Sequence, residues 1–258
     1  MRVFHSLVAL IWLAAPLRAA EVEKCPDMVA GGPTIMRAAL ATDTVRLTFI
    51  GHASFLIESP GGATAVTDYN DYVRSPVVPD IATMNKAHSS HNSLLPDPSI
   101  KHVLRGWGRD GGAAHWEVTE RDMRVRNVPT NIRDWDGGTE YDGNSIFIFE
   151  TAGLCIAHLG HLHHRLTPEH VRRIGHIDVL LAPVDGSYTL GTAGMIETIV
   201  ALRAPLTIPM HFFGPSTLER FLSQARASFD IRFAGANSVE ISRASLPQRP
   251  TILVLDGH

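Results

Sequence analysis

Residues 154–164 read Leu-Cys-Ile-Ala-His-Leu-Gly-His-Leu-His-His. A short apolar run of strand character delivers His158, and four histidines then fall within seven residues, with Gly160 able to turn the backbone sharply among them. On the upstream side, residues 123–128 (MRVRNV) and 145–150 (SIFIFE) alternate as antiparallel strands do. Downstream, Thr167-Pro168-Glu169 is a helix start, with Thr as N-cap, Pro at the first position and an acid in the first turn. Residues 178–183 read as a buried strand, 193–202 as a helix, and 206–210 as a strand ending at His211. Ser-Thr-Leu-Glu at 216–219 predicts a capping box and a helix to about Ala227. Strands near Ile231, Val239 and Ile252 close the chain.

The first half is a β-meander. Residues 45–50 (VRLTFI) and 54–58 (SFLIE) flank the turn Gly51-His52-Ala53. Residues 64–67 run into Asp68, and 80–84 (DIATM) run into a polar stretch with Lys86, His88 and His91. A meander followed by β-α-β-α-β predicts an α/β domain over 44–258, with two sheets between helices. In layered folds, ligands gather where strands end. Asp68, the 86–91 stretch, His158 and His211 all follow strands directly, so one shared site is expected.

Composition narrows the function. The chain has 258 residues, 45% hydrophobic and 19% charged, which supports a sizeable core and excludes disorder over most of its length. A formal charge of -3 gives no basic surface, so no nucleic-acid partner is expected and the substrate should be a small molecule. Fourteen histidines stand against only three lysines, Lys24, Lys86 and Lys101. Residues 1–20 read as a signal peptide: Arg2 precedes the apolar run at 7–15, with small residues at Ala19 and Ala20. Export to the periplasm or beyond follows, with a lead at 21–43. No other run is long enough to cross a bilayer as a helix. In an exported chain Cys25 and Cys155 could pair, or Cys155 could be a buried small hydrophobe.

Neutral imidazole is the commonest metal ligand. His88 and His91, the 158–164 cluster, and Pro209-Met210-His211 form an ordered set with Gly143-Asn144-Ser145-Ile146-Phe147 and 183–189 (PVDGSYT). Together they resemble the metallo-β-lactamase superfamily, and most of all its L-ascorbate-6-phosphate lactonase branch. Gly51-His52-Ala53-Ser54-Phe55 and Thr67-Asp68 suit the same branch. The resemblance spans about 44–213 and implies an αββα sandwich.

The family's His-x-His-x-Asp-His motif is degenerate here. Lys86 stands in place of its first histidine and Ser90 in place of its aspartate, while His88 and His91 remain. The resemblance assigns His158 and His211 as further ligands and puts His161 in place of a bridging aspartate. The expected metal set is therefore His88, His91, His158, His161 and His211. With both acids gone, two adjacent cations would repel, so one ion is expected: zinc, or another divalent transition metal such as iron or manganese. The implied activity is hydrolysis of an ester, lactone, amide or phosphodiester, with His161, His52 or Lys86 replacing the missing acid as proton acceptor. Asp68 is expected to orient a ligand, with Ser90, Asp185 and Tyr188 close by and Tyr188 on the substrate. The 104–107 loop with Arg124, Arg126 and Arg133 reads either as a solvated face or as an anion site. The rival reading is a non-catalytic protein of the same fold that binds a ligand or a metal.

Overall fold

A computed structural model describes residues 40–257. The signal peptide, most of the lead, and Cys25 with its expected pairing lie outside the described residues. The strands are β1 (Thr44–Gly51), β2 (Ser54–Glu58), β3 (Thr64–Val66), β4 (Ile81–Met84), β5 (His102–Arg105), β6 (Glu117–Glu120) and β7 (Met123–Arg133). They continue as β8 (Thr139–Thr151), β9 (Leu154–His158), β10 (Val179–Pro183), β11 (Leu206–Met210), β12 (Asp230–Phe233), β13 (Ser238–Ser242) and β14 (Thr251–Val254). Among the described residues three α-helices join them: α1 (Pro168–Ile174), α2 (Thr192–Leu202) and α3 (Pro215–Ala225).

One sheet runs β13-β1-β2-β3-β4-β5 and the other β12-β14-β11-β10-β9-β8-β7-β6. Period-two patterning divides the core. On β8, Phe147 and Phe149 face the inter-sheet core with Leu47, Phe55 and Ile57, while Ile146 and Ile148 face the helices with Met195, Ile199 and Phe221. The same alternation sends Val179 and Leu181 of β10 to one core and Leu180 and Ala182 to the other. A sheet covered on both faces needs continuous apolar strands, so β10 and β11 read as runs rather than alternations. The parallel pairs β9–β10 and β10–β11 leave their C-terminal ends along one edge of the sandwich.

Helix α1 begins as its sequence demands. Thr167 accepts from the His170 amide, and the His170 side chain accepts from the Thr167 amide. Helix α3 differs from expectation. It starts at Pro215 behind Gly214, and no capping box forms at Ser216. Proline lacks an N–H and has a fixed φ, so it takes the first helical position and moves the start two residues upstream.

Gly160 is held at φ 60°, and a Cβ there would meet Asn85 Nδ2 at 2.3 Å and Asn144 Oδ1 at 2.5 Å. Gly160→Ala should destabilise the fold by about 2 kcal/mol or more in urea titrations, because strain and a buried clash add. A loss under about 0.5 kcal/mol would show that the 158–161 turn relaxes freely.

Candidate metal centre

Loops at that edge bring the polar residues together. His52 sits in the β1–β2 turn, Asp68 follows β3, His91 lies after β4, and His211 follows β11. His52, Asp68 and His211 have φ of 52°, 43° and 55°. The left-handed region is uncommon for residues with a Cβ and costs energy, so surrounding bonds must hold it. The His211 amide donates to the His52 carbonyl at 2.7 Å, tying the two loops together. Asn85 Nδ2 donates to Asp68 Oδ1 at 3.0 Å, and Asn85 Oδ1 accepts from the Ser145 amide at 2.8 Å.

Two carboxylate–histidine pairs form the centre. His91 Nδ1 lies 2.5 Å from Asp68 Oδ2, and His211 Nδ1 lies 3.1 Å from Asp185 Oδ1. All four side chains are buried. A carboxylate holds the proton on Nδ1 and leaves Nε2 as the outward lone pair. The two Nε2 atoms face each other at 3.2 Å. Two imidazole ligands on a tetrahedral zinc, with Zn–N of about 2.0–2.1 Å, stand about 3.3–3.4 Å apart. His52 completes a three-histidine group whose ligand atoms lie within 4.8 Å of one another. Its Nε2 is buried without a hydrogen-bond partner, as is Nε2 of His161. The orphaned His52 nitrogen beside two facing lone pairs fits a cation.

The Beta-lactamase superfamily domain matches residues 46–211. The chain belongs to the beta-lactamase superfamily. Among its relatives is a UPF0173 metal-dependent hydrolase of Methanoculleus marisnigri, 27% identical over 186 residues, or 65% of this chain and 81% of that protein. Another, from Pelotomaculum thermopropionicum, is 25% identical over 223 residues, covering 76% of this chain and 95% of that one. A crystal structure from Thermotoga maritima, presented as a Zn-dependent hydrolase of the metallo-beta-lactamase superfamily, superposes with a TM-score of 0.62 at 29% identity. It covers 83% of this chain and all of that one.

Within this superfamily fold the expected site residues separate. His91, His211 and His52 converge, with Asp68 and Asp185 behind the first two. The His161 ring stands 4.6 Å from His91 and 4.8 Å from His211. His88 is exposed at the mouth, 4.9 Å from His161. Ser90 and Tyr188 line a cavity of about 490 Å³ with His52, His88, His211 and Phe213.

Two expectations need correction. His158 is not turned into the cluster. Its register opposite Phe147 and Leu181 puts it on the inter-sheet face, where Nε2 donates to the Ala53 carbonyl at 2.8 Å and Nδ1 accepts from the Gly160 amide at 3.2 Å. Both ring nitrogens are used, so it acts as a structural bridge between the sheets. Lys86 pairs with Glu140 at the partly exposed rim, which commits its ammonium to that carboxylate. Arg124 and Arg126 pair with Glu150, while Arg133 holds the Ser187, Tyr188 and Thr189 carbonyls, so these arginines brace structure. His163 is a buried outer neighbour of the cluster, with Nδ1 taking the Arg133 amide and Nε2 meeting His161. Its His-x-His spacing from His161 was the signal available.

Burial disfavours protonation of several of these rings. Desolvation, then His211, lowers His52 to about 4, and burial with neighbouring Arg133 lowers His163 to about 4. Burial also drives His91 well below its ordinary value. Burial raises Asp185, but hydrogen bonds from His211, Thr189 and Ser187 outweigh it and hold the carboxylate well below its usual range. Burial raises Asp68. An unfolded histidine takes up a proton near pH 6.5, whereas folded His52 and His163 do so only near about 4. Below about pH 6.5 the unfolded state therefore binds more protons, and stability present above that pH drains away as pH falls towards 4. The urea midpoint of metal-stripped protein should drop between about pH 7.5 and about pH 5; a level midpoint would mean these rings charge freely.

Proposed function

We propose that this chain is a metal-dependent hydrolase whose centre holds one divalent ion on His91, His211 and His52. The supporting observation is the 3.2 Å approach of two Nε2 atoms, each imidazole backed by a buried carboxylate. Position 90 offers a serine and position 86 a lysine paired with Glu140, so a second cation would lack the anionic ligands that offset its charge. Imidazole donors suit zinc, with iron or manganese as alternatives. An ion there supplies Lewis acidity, polarising a substrate oxygen and acidifying water. Asp68 and Asp185 orient the two ligating rings. Ser90, His88 and Tyr188 border the opening through which a small-molecule ester, lactone, amide or phosphodiester would approach.

A neighbouring cavity of about 520 Å³ shares His52 and Phe213 and is walled by Phe212, Leu218, Val254 and Leu255. It suits an apolar substituent next to the cleaved bond. The apolar run at 7–15 supports export, which cell fractionation would test.

Elemental analysis should find one ion per chain, lost in His211→Ala; two ions in the wild-type chain would overturn the single centre. Asp185→Asn should weaken metal binding about 10–100-fold, as outer carboxylate partners of ligating histidines do. Phe213→Ala should raise KM for aryl or long-chain acyl esters about tenfold while leaving small acetyl esters little changed. Hydrolysis that survives full chelation would favour a different use of the site.

A further inference from the structure

The contact between His161 and His163 has only one neutral arrangement. The Arg133 backbone N–H donates to His163 Nδ1. An amide keeps its proton, so this nitrogen must accept through its lone pair. Neutral His163 then carries its proton on Nε2. That N–H faces His161 Nδ1, which is within hydrogen-bond reach, and donates to it. His161 therefore accepts on Nδ1 and carries its own proton on Nε2. Reversing the middle bond would strip both protons from His163 and leave a buried imidazolate.

The position of His161 is fixed independently. Its amide donates to Asn144 Oδ1 at 2.8 Å, and Asn144 Nδ2 donates to Thr130 Oγ1 at 2.8 Å. Its Nε2 is buried without a partner, on a ring packed beside His91, His211 and His88. A nitrogen that bears hydrogen cannot offer a lone pair to a cation. It can donate to an oxygen carrying negative charge, and in a dry site such a bond is strong.

We propose that His163 is a positioning residue that locks His161 as an N–H donor beside the His91–His211 pair, so that His161 receives an anionic oxygen of the ligand instead of a second metal ion. The tautomer stands without the metal reading, while the anionic-oxygen role rests on it. Atom balance is simple, because no bond other than the hydrogen bond forms or breaks.

The test uses the full chain with ¹⁵N-labelled histidine, first metal-stripped and then zinc-loaded. Two-bond ¹H–¹⁵N couplings, assigned with His161→Gln, should show His161 protonated on Nε2 in both states; protonation on Nδ1 would overturn the lock. With zinc bound, inorganic phosphate serves as the anionic probe. His161→Phe should weaken phosphate about tenfold or more and change zinc affinity by less than about threefold. A fall in zinc affinity beyond about 100-fold would make His161 a ligand and overturn the role. His163→Gln can accept from Arg133 and donate to His161, so it should keep phosphate affinity, whereas His163→Leu should lose it. Equal phosphate loss in both variants would reduce His163 to packing. If zinc fails to bind at all, the metal reading falls while the metal-free couplings still decide the tautomer.

Discussion

Two imidazole lone pairs held 3.2 Å apart repel unless something positive lies between them. The rest of the site maintains that arrangement. Asp68 and Asp185 each fix one ring from behind, both in a fully buried setting where a carboxylate needs several donors. Asn85 supplies one to Asp68, and the 187–189 amides with Thr189 Oγ1 supply those of Asp185. Left-handed backbone at His52, Asp68 and His211 then aims side chains that ordinary turns would send elsewhere. Without a positive charge between them, the facing lone pairs would leave the centre destabilised.

Much of the fold was legible because its strands announce themselves in two ways. β2 and β11 are buried throughout and apolar apart from Ser54, Glu58 and Thr207, and their observed limits coincide with those read from the sequence. β7 and β8 were read too short. Their outer halves form an exposed hairpin where Thr139 and Tyr141 are exposed, so pairing continues without hydrophobic alternation. The α3 start was missed because Ser216 and Glu219 match a capping pattern that Pro215 pre-empts.

The site was legible as a set of strand ends and less so as a set of roles. His91 and His211 follow strands and reach the centre. His158 also ends a strand, yet strand position alone does not tell which face a side chain takes, and a shift of one residue reverses it. Its face is the inter-sheet core, where one imidazole joins the 158–161 turn to the Ala53 carbonyl of the opposite sheet. Lys86 stood out by its rarity, but its meaning lay in Glu140, far along the chain, and no local pattern announces that pairing. His163 mattered through the Arg133 amide, and main-chain donors do not appear in a sequence.

The three converging histidines come from different layers. His52 and His91 belong to loops of the first sheet and His211 to a loop of the second, with the His52 carbonyl accepting from the His211 amide. A cation at their meeting point would work as a clasp, closing the long chain segment from the β1–β2 turn to the end of β11. Free energy gained in gripping it would be gained by the packing of one sheet on the other, because neither layer alone carries the grip. The spacing of the layers and the capacity of the centre are thus one mechanical quantity, and a substitution deep in the sandwich could be read at its edge as a change in how tightly an ion is held.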